Sequence, residues 1–323
     1  MISTKQKYLN KIVVTGSSGF LGRHLMPILN ELYGNKHVIG LSSKDFNLLN
    51  ENDVIKMFER YKPEYLIHLA AYSGGIGANA KFPADFYHKN SLFVTHLFHY
   101  ASKYQVKKMI YTMGGCSYPS NATSPISEDQ MWNGFPQIES SGYSVAKKLG
   151  IVASQSYRKQ YGLNSNILIP GNLYGEYDNF KIDESHVIPA MIRRFFECKI
   201  EKKKEINMWG DGSPIRDFVY AKDVAELIPW FLENYNTSDP INISSGMKTK
   251  ISELAYTIKK ITSYDGKINW DTSKPNGQLV KVFDTKKMKS HGLRCPTTLD
   301  QGLERTFEWF SANYKNRTNG IRI

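Results

Sequence analysis

A β-branched apolar run, Ile12-Val13-Val14, enters a turn punctuated by Gly16, Gly19 and Gly22, and an apolar periodic stretch from Phe20 to Leu32 leaves it. No other stretch constrains the fold as much as this order of strand, tight turn and helix. A turn of this kind aims backbone N–H groups and a helix N-terminus at a pyrophosphate. Gly16 allows the turn, Gly19 lets the backbone approach a phosphate, and Gly22 lets helix and strand pack closely. The spacing is Gly-x-x-Gly-x-x-Gly rather than the commoner Gly-x-Gly-x-x-Gly. Glycine is frequent in turns, so the weight comes from the strand before it and the helix after it. The sequence reads as a dinucleotide-binding turn, against the alternative of a purely structural one.

Short apolar runs then alternate with amphipathic stretches. Val38–Leu41, Tyr65–Ala71, Lys108–Thr112 and Asn164–Pro170 read as strands, and Val54–Arg60, Asn90–Tyr104 and Tyr143–Tyr161 as helices. This rhythm predicts an α/β fold, a Rossmann doubly wound parallel sheet with helices on both faces. The later half is less regular, with helices at Val187–Cys198, Ala221–Asn234 and Leu303–Tyr314 and loops rich in Gly, Asp and Pro. It predicts a smaller C-terminal α/β substrate-binding lobe. The expected division is residues 1–174 for the dinucleotide domain, with segments near 215–245 returning to it, and 175–323 mainly for the second lobe.

Composition removes several classes of function. No apolar run is long enough to span a bilayer, so no membrane partner is expected. The stretch Met1–Asn10 is polar and has no signal-peptide core. Cys116, Cys198 and Cys295 are too few and too scattered for a disulfide framework or a zinc site, so the expectation is no metal and a cytoplasmic protein. The net charge of +12 suits an anionic small substrate or a solvated surface. No basic stripe with interleaved aromatics marks a nucleic-acid face, and no nucleic-acid partner is expected.

The end of the second strand bears on the cofactor. An NAD site usually places Asp or Glu there for the ribose 2′-hydroxyl. Here the strand runs into Ser42, Ser43 and Lys44, with Arg23 just past the glycine turn. Hydroxyls and cations favour a 2′-phosphate, hence NADPH over NADH, although Asp45 stands close by.

Tyr143-Ser-Val-Ala-Lys147 places a phenol and an ammonium on one helical face. The lysine can lower the phenol pKa and hold a ribose hydroxyl, while the tyrosine exchanges the proton at a carbonyl as hydride moves at carbon. The pattern also occurs at Tyr104/Lys108, Tyr177/Lys181 and Tyr256/Lys260. Position separates them, because only Tyr143 opens a helix between two predicted core strands.

The glycine turn, His68-Leu-Ala-Ala71 and the Tyr143/Lys147 pair together resemble an extended short-chain dehydrogenase/reductase. Further segments narrow the resemblance: Ser73–Asn79, Pro83–Phe86, Cys116-Ser-Tyr-Pro119, Asn172-Leu-Tyr-Gly175, Asp178–Phe180, Ser185–Ala190, Arg193–Phe195, Trp209-Gly-Asp-Gly212, Arg216-Asp-Phe218 and Ser273–Gly277. Together they resemble the GDP-L-fucose synthase family of dual epimerase/reductases that act on a GDP-4-keto-6-deoxy sugar.

The resemblance implies catalytic roles for Tyr143, the acid at O4, for Lys147, its partner, and for Cys116 and His186, an acid/base pair that epimerises C3 and C5. It implies cofactor contacts from Gly16, Ser18, Gly19, Phe20, Leu21, Gly22, Arg23, Ser43, Asn47, Leu48, Leu69, Ala70, Ala71, Tyr143, Lys147, Pro170, Asn172, Leu173 and His186. For the GDP-sugar it implies Ser117, Asn172, Val187, Arg194 and Trp209, with Arg216 and Lys274 on the diphosphate, where a guanidinium fork suits phosphate. It also implies a homodimer through the helices near Asn90–Tyr104 and Tyr143–Tyr161, and a place in nucleotide-sugar biosynthesis for a capsule-type polysaccharide.

One position departs from the family. A Ser or Thr is expected four residues before the tyrosine of Cys-x-Tyr-Pro, where its hydroxyl polarises the carbonyl. This chain has Gly114, followed by Gly115. Losing one such donor costs roughly two to three orders of magnitude in rate. Thr112, Ser117 or a water could stand in for it. Otherwise the added space points to a different sugar near C4, such as a GDP-4-keto-heptose. The main reading is an NADPH-dependent C4 reductase of a GDP-4-keto sugar. Its rivals are a nucleotide-sugar 4-epimerase or dehydratase with tightly bound NAD, and a non-catalytic NAD(P)-binding protein.

Overall fold

The computed structural model describes residues 9–323 apart from 183, 275, 316, 318 and 319. Most of the polar stretch Met1–Asn10, and Pro275 of the Ser273–Gly277 segment, lie outside the described residues. In chain order the first elements are β1 (Ile12–Thr15), α1 (Phe20–Tyr33), β2 (Val38–Leu41), α2 (Glu51–Tyr61), β3 (Tyr65–His68), α3 (Ile76–Lys81), α4 (Pro83–Lys103), β4 (Lys108–Thr112), α5 (Ser141–Tyr161) and β5 (Ser165–Pro170). There follow β6 (Asn172–Tyr174), α6 (Val187–Ile200), β7 (Glu205–Trp209), β8 (Ile215–Arg216), β9 (Phe218–Tyr220), α7 (Ala221–Asn234) and β10 (Ile241–Ile243). The last are β11 (Thr249–Lys250), α8 (Ile251–Thr262), β12 (Lys267–Asp271), β13 (Val280–Lys281), α9 (Lys286–Ser290) and α10 (Leu299–Tyr314).

Six parallel strands in the order β10-β5-β4-β3-β1-β2 form the central sheet. The apolar runs are continuous because helices cover both faces. In β1, Val13 enters the core under α2, α4 and α5, while Ile12 and Val14 enter the opposite core under α1 and α7. Leu21, Leu25 and Leu29 recur at helical spacing on α1 and are all buried. Cutting Leu25 to alanine there would cost about 2–5 kcal/mol. After β1 the chain moves to β2 on one side and later to β3 on the other. That reversal opens a crevice at the carboxyl ends of β1 and β3, where ligands of doubly wound sheets bind.

The second half returns to this sheet. Helix α7 packs against α1, and β10 extends the sheet beside β5. A third core gathers Tyr174, Phe180, the inner faces of α6 and α8, and Phe310 of α10. Among the described residues no helix is long and apolar enough to cross a membrane.

Several boundaries differ from the sequence expectation. Strand β3 stops at His68 and does not reach Ala71, because Leu69 donates to Thr15 and the chain then crosses over the glycine turn. A Cβ on Gly16 would stand 2.6 Å from the Ala70 nitrogen, so this crossing needs the bare α-carbon. Helix α4 starts at Pro83, not Asn90, since proline at the first helical position gives up only an N–H that has no partner there. Helix α10 starts at Leu299, not Leu303, where Thr298 and Gln301 form a reciprocal capping box.

Candidate active site

The glycine turn builds one wall of the crevice. Gly16 has φ +78° and donates to Leu41 of β2 at 2.9 Å. A Cβ on Gly22 would collide with the Gly16 and Ser17 carbonyls, so helix and turn pack through it. Gly19 caps α1 without any side-chain hydrogen bond, which leaves the first turn of the helix facing the crevice with its backbone donors. At the end of β2 the Asp45 carboxylate accepts from both the backbone and the hydroxyl of Ser42, each at 2.8 Å. Those hydrogen bonds hold Asp45 below the usual carboxylate range. Ser43 and Asn47 are exposed beside it, whereas Leu48 is buried in the core. Leu69, Ala70 and Ala71 follow β3 as half-buried loop rather than strand, and Pro170 and Leu173 lie at the end of β5 and in β6.

Cys116 and Tyr143 meet beside Gly114. A Cβ built there would lie 3.3 Å from Cys116 Sγ and 3.7 Å from the Tyr143 hydroxyl, so thiol and phenol flank one small space. Ser144 ties this corner together by donating to the Cys116 carbonyl at 3.0 Å. Lys147 is 2% exposed and holds its ammonium 4.4 Å above the Tyr111 ring. Burial pushes the Lys147 pKa down to about 7, and it raises the Tyr143 phenol, with the neighbouring Cys116 adding to the rise. In this arrangement the phenol stays protonated and is a weaker acid than free tyrosine. The other Tyr-x-x-x-Lys pairs sit elsewhere: Tyr104 caps the end of α4, Tyr177 occupies a loop at φ +69°, and Tyr256 is exposed on α8.

Of the two hydroxyls that could stand in at Gly114, one is engaged and the other is buried. Thr112 donates to the His68 carbonyl at 3.1 Å. Ser117, expected to touch substrate, is wholly buried, and its oxygen has no hydrogen-bond partner. Its side chain therefore does not line the open cleft. Gly115 is required for packing, because the Phe283 ring occupies the place a Cβ would take.

Across the cleft, His186 caps the start of α6 and is reached by solvent, with Val187 next to it. Protein packed around its cleft lowers the imidazole pKa, and the Arg322 charge lowers it further. Arg194 on α6 donates to the Asn207 carbonyl at 2.6 Å, and Trp209 ends β7 with 67% of its surface exposed. Asn172 donates to the Asp217 carbonyl at 2.8 Å. Arg216 is half-buried on β8, close to the Gly277 turn, and Lys274 is exposed nearby.

Two residues that the sequence did not single out join this group. Lys281 pairs in register with Arg216 between parallel strands β13 and β8. Burial lowers its pKa, the nearby Cys116 opposes that shift, and Arg216 reinforces it. Asp217 is fully buried and accepts from the Ser245 hydroxyl at 2.7 Å and from the Gly246 and Phe283 amides, which fixes the segment after Lys281 to the cationic strand. The sequence around Lys281, Val-Lys-Val-Phe, carries no signal that marks it, since only Val282 and Phe283 of that run are buried. No group of His, Cys, Asp and Glu among the described residues is arranged to hold a metal.

Known proteins resemble this chain along most of its length. The model of the NAD dependent epimerase/dehydratase family matches residues 12–244. GDP-L-fucose synthase 1 of Arabidopsis thaliana is 36% identical over 307 residues, covering 95% of each chain. A GDP-6-OMe-4-keto-L-xylo-heptose reductase from C. jejuni superposes with a TM-score of 0.89 at 26% identity, covering 95% of this chain and 100% of the other. MlghC, a GDP-mannoheptose C4 reductase from Campylobacter jejuni with NADP bound, gives 0.85 at 26% identity over 94% and 99%.

Proposed function

The chain belongs to the NAD dependent epimerase/dehydratase family and, within it, to the GDP-L-fucose synthases, and from that premise we propose that it reduces the C4 ketone of a GDP-4-keto sugar with NADPH. The observation that carries the reading is the convergence of Tyr143 and Cys116 on the space beside Gly114, with Lys147 buried on the same helix.

The residues of the crevice fit the cofactor. Bare α-carbons at Gly16 and Gly22 and the uncapped first turn of α1 suit a pyrophosphate. Gly19 and the Ser18, Phe20 and Leu21 backbone would complete that cradle. Asp45 turns back on Ser42, which leaves the exposed Ser43 and Lys44 to favour the 2′-phosphate. NADPH, when bound, supplies hydride to the ketone carbon. Tyr143 donates its phenolic proton to the ketone oxygen as that oxygen gains charge, and the Lys147 ammonium stabilises the phenolate left behind. The ketone also acidifies C3 and C5. Cys116 and His186 exchange those protons, which makes the enzyme an epimerase as well as a reductase.

Arg216, Lys281 and Lys274 neutralise the diphosphate, and Asn172, Val187, Arg194 and Trp209 line the remainder of the nucleotide-sugar path. The protein acts as a cytoplasmic homodimer joined through the outer faces of α4 and α5, where Tyr87 and Val152 are about half exposed. It serves nucleotide-sugar synthesis for a surface polysaccharide such as a capsule. The sugar is tested with Gly114→Ser. A serine there would crowd Cys116 and Tyr143 while restoring a hydroxyl. If the natural substrate is a bulkier 4-keto-heptose, the variant loses activity on it and gains on GDP-4-keto-6-deoxymannose. A gain on the hexose without loss on the heptose contradicts the size argument.

A further inference from the structure

The loop between β6 and α6 crosses the crevice, and the segment Gly320–Ile323 is bound to that loop. At one end of the loop Tyr177, at φ +69°, lies under the Arg23 guanidinium at 4.1 Å and against His24 at 5.2 Å. Both partners belong to α1, next to the glycine turn. At the other end Gly75, before α3, donates to Glu184 at 2.8 Å. A Cβ on Gly75 would come within 2.8 Å of the Ser185 carbonyl. The loop thus spans from the helix after β1 to the segment after β3, and it ends at His186.

The segment Gly320–Ile323 holds the middle of this span. Arg322 forms a parallel bridge with Asn179, and its carbonyl accepts from the Phe180 amide at 2.8 Å. Its guanidinium donates to the Tyr177 carbonyl at 3.1 Å. Ile321 and Ile323 pack against the core that contains Phe180 and Phe310. Gly320 lies so close to Arg23 that a Cβ there would stand 3.0 Å from a guanidinium nitrogen. Near Arg322 sits Asp178, 4% exposed, with one carboxylate oxygen on the Asn179 amide and the other without a hydrogen-bond partner.

We propose that Gly320–Ile323 is a strap that holds the β6–α6 loop across the cofactor crevice, with Arg322 as the positioning residue for the loop and for His186 at its end. The proposal rests on the cofactor reading above for what lies beneath the loop. Releasing the strap would loosen the loop and let the cofactor exchange, whereas the sheet and both lobes would be left intact.

Two variants test it, Arg322→Ala and Arg322→Lys, each in the full chain. Amide hydrogen exchange is followed along residues 176–186, and NADPH dissociation by its fluorescence on dilution into excess NADP. Loss of one charge-assisted hydrogen bond predicts about tenfold faster exchange at Phe180 and a similar acceleration of NADPH release in Arg322→Ala. KM for NADPH would rise more than kcat falls, the melting temperature would hold, and Arg322→Lys would recover part of the protection. Unchanged exchange in 176–186 overturns the strap, and so does faster exchange without faster NADPH release. Failure of the unsubstituted protein to bind NADPH would refute the cofactor reading instead, and the exchange arm would still decide whether Arg322 holds the loop.

Discussion

Lys281 stands directly beside Arg216, in register across two parallel strands of two residues each. Residues opposite each other in a sheet project to the same face, so two cations meet at one edge of the cleft. Such a pair repels itself unless an anion is shared between them, and a diphosphate is the anion the proposed substrate carries. Lys281→Met should raise KM for the GDP-sugar by about 10–100-fold, the worth of a charge-assisted hydrogen bond, with a smaller effect on kcat. Steady-state kinetics with varied sugar at saturating NADPH measures this. An unchanged KM would remove Lys281 from the substrate site.

Tyr143→Phe should lower kcat by about two to four orders of magnitude while NADPH still binds, since only the proton donor is gone. The pH profile should follow Lys147. Burial brings its pKa down to about 7, so the ammonium is present below that pH and is lost as pH rises through it. The predicted kcat/KM therefore falls on the alkaline side of about pH 7. Residual activity of Lys147→Met should lack that limb, and a profile flat from pH 6 to 9 in the unsubstituted enzyme would contradict the assignment.

Gly16→Ala should abolish cofactor binding with little loss of secondary structure. Its φ is +78°, and the new Cβ would press on the Ala70 backbone at 2.6 Å. Titration with NADPH reads the loss directly. Binding within a few-fold of normal would mean that the turn does not form the cradle.

Asp178 predicts a pH dependence of stability. Burial raises its pKa from 3.8 to about 7, against the Asn179 amide and the Arg322 charge, which lower it. A raised carboxyl pKa means that the folded state holds the proton more tightly than the unfolded chain. The group's contribution to stability is thus greatest below about pH 4 and declines as pH rises through about 7. Asp178→Asn should be more stable than the parent at pH 8 by on the order of 1–3 kcal/mol and nearly equal to it at pH 4. Urea titrations at the two pH values test this, and the opposite ordering would show Asp178 to be ionised and paired in the fold.

The parts of the molecule that repeat a pattern were legible in the sequence. Ile12–Val14 and the leucines of α1 follow strand and helix periods, and the Tyr143/Lys147 spacing puts both groups on one helical turn. Lys281 was not legible, because β8 and β13 are two residues long and carry no period, and their pairing joins positions 65 residues apart in the chain. The Arg322 bridge to Asn179 was hidden for the same reason. The burial of Ser117 was not legible either, because the short turn Gly115–Ser117 is set by packing and carries no sequence period. The early stop of β3 depends on the crossing at Gly16, a tertiary contact that the apolar run to Ala71 does not encode.

In the proposed function Tyr143 and Cys116 serve one sugar, the phenol at O4 and the thiol at the carbons beside it. Turnover of GDP-4-keto-6-deoxymannose with NADPH in heavy water, with the product followed by mass, tests it most directly. The expected result is NADPH oxidation and a product carrying solvent deuterium at C3 and C5, with the deuterium lost in Cys116→Ser while reduction persists. No NADPH oxidation with this sugar or with the corresponding 4-keto-heptose would contradict it.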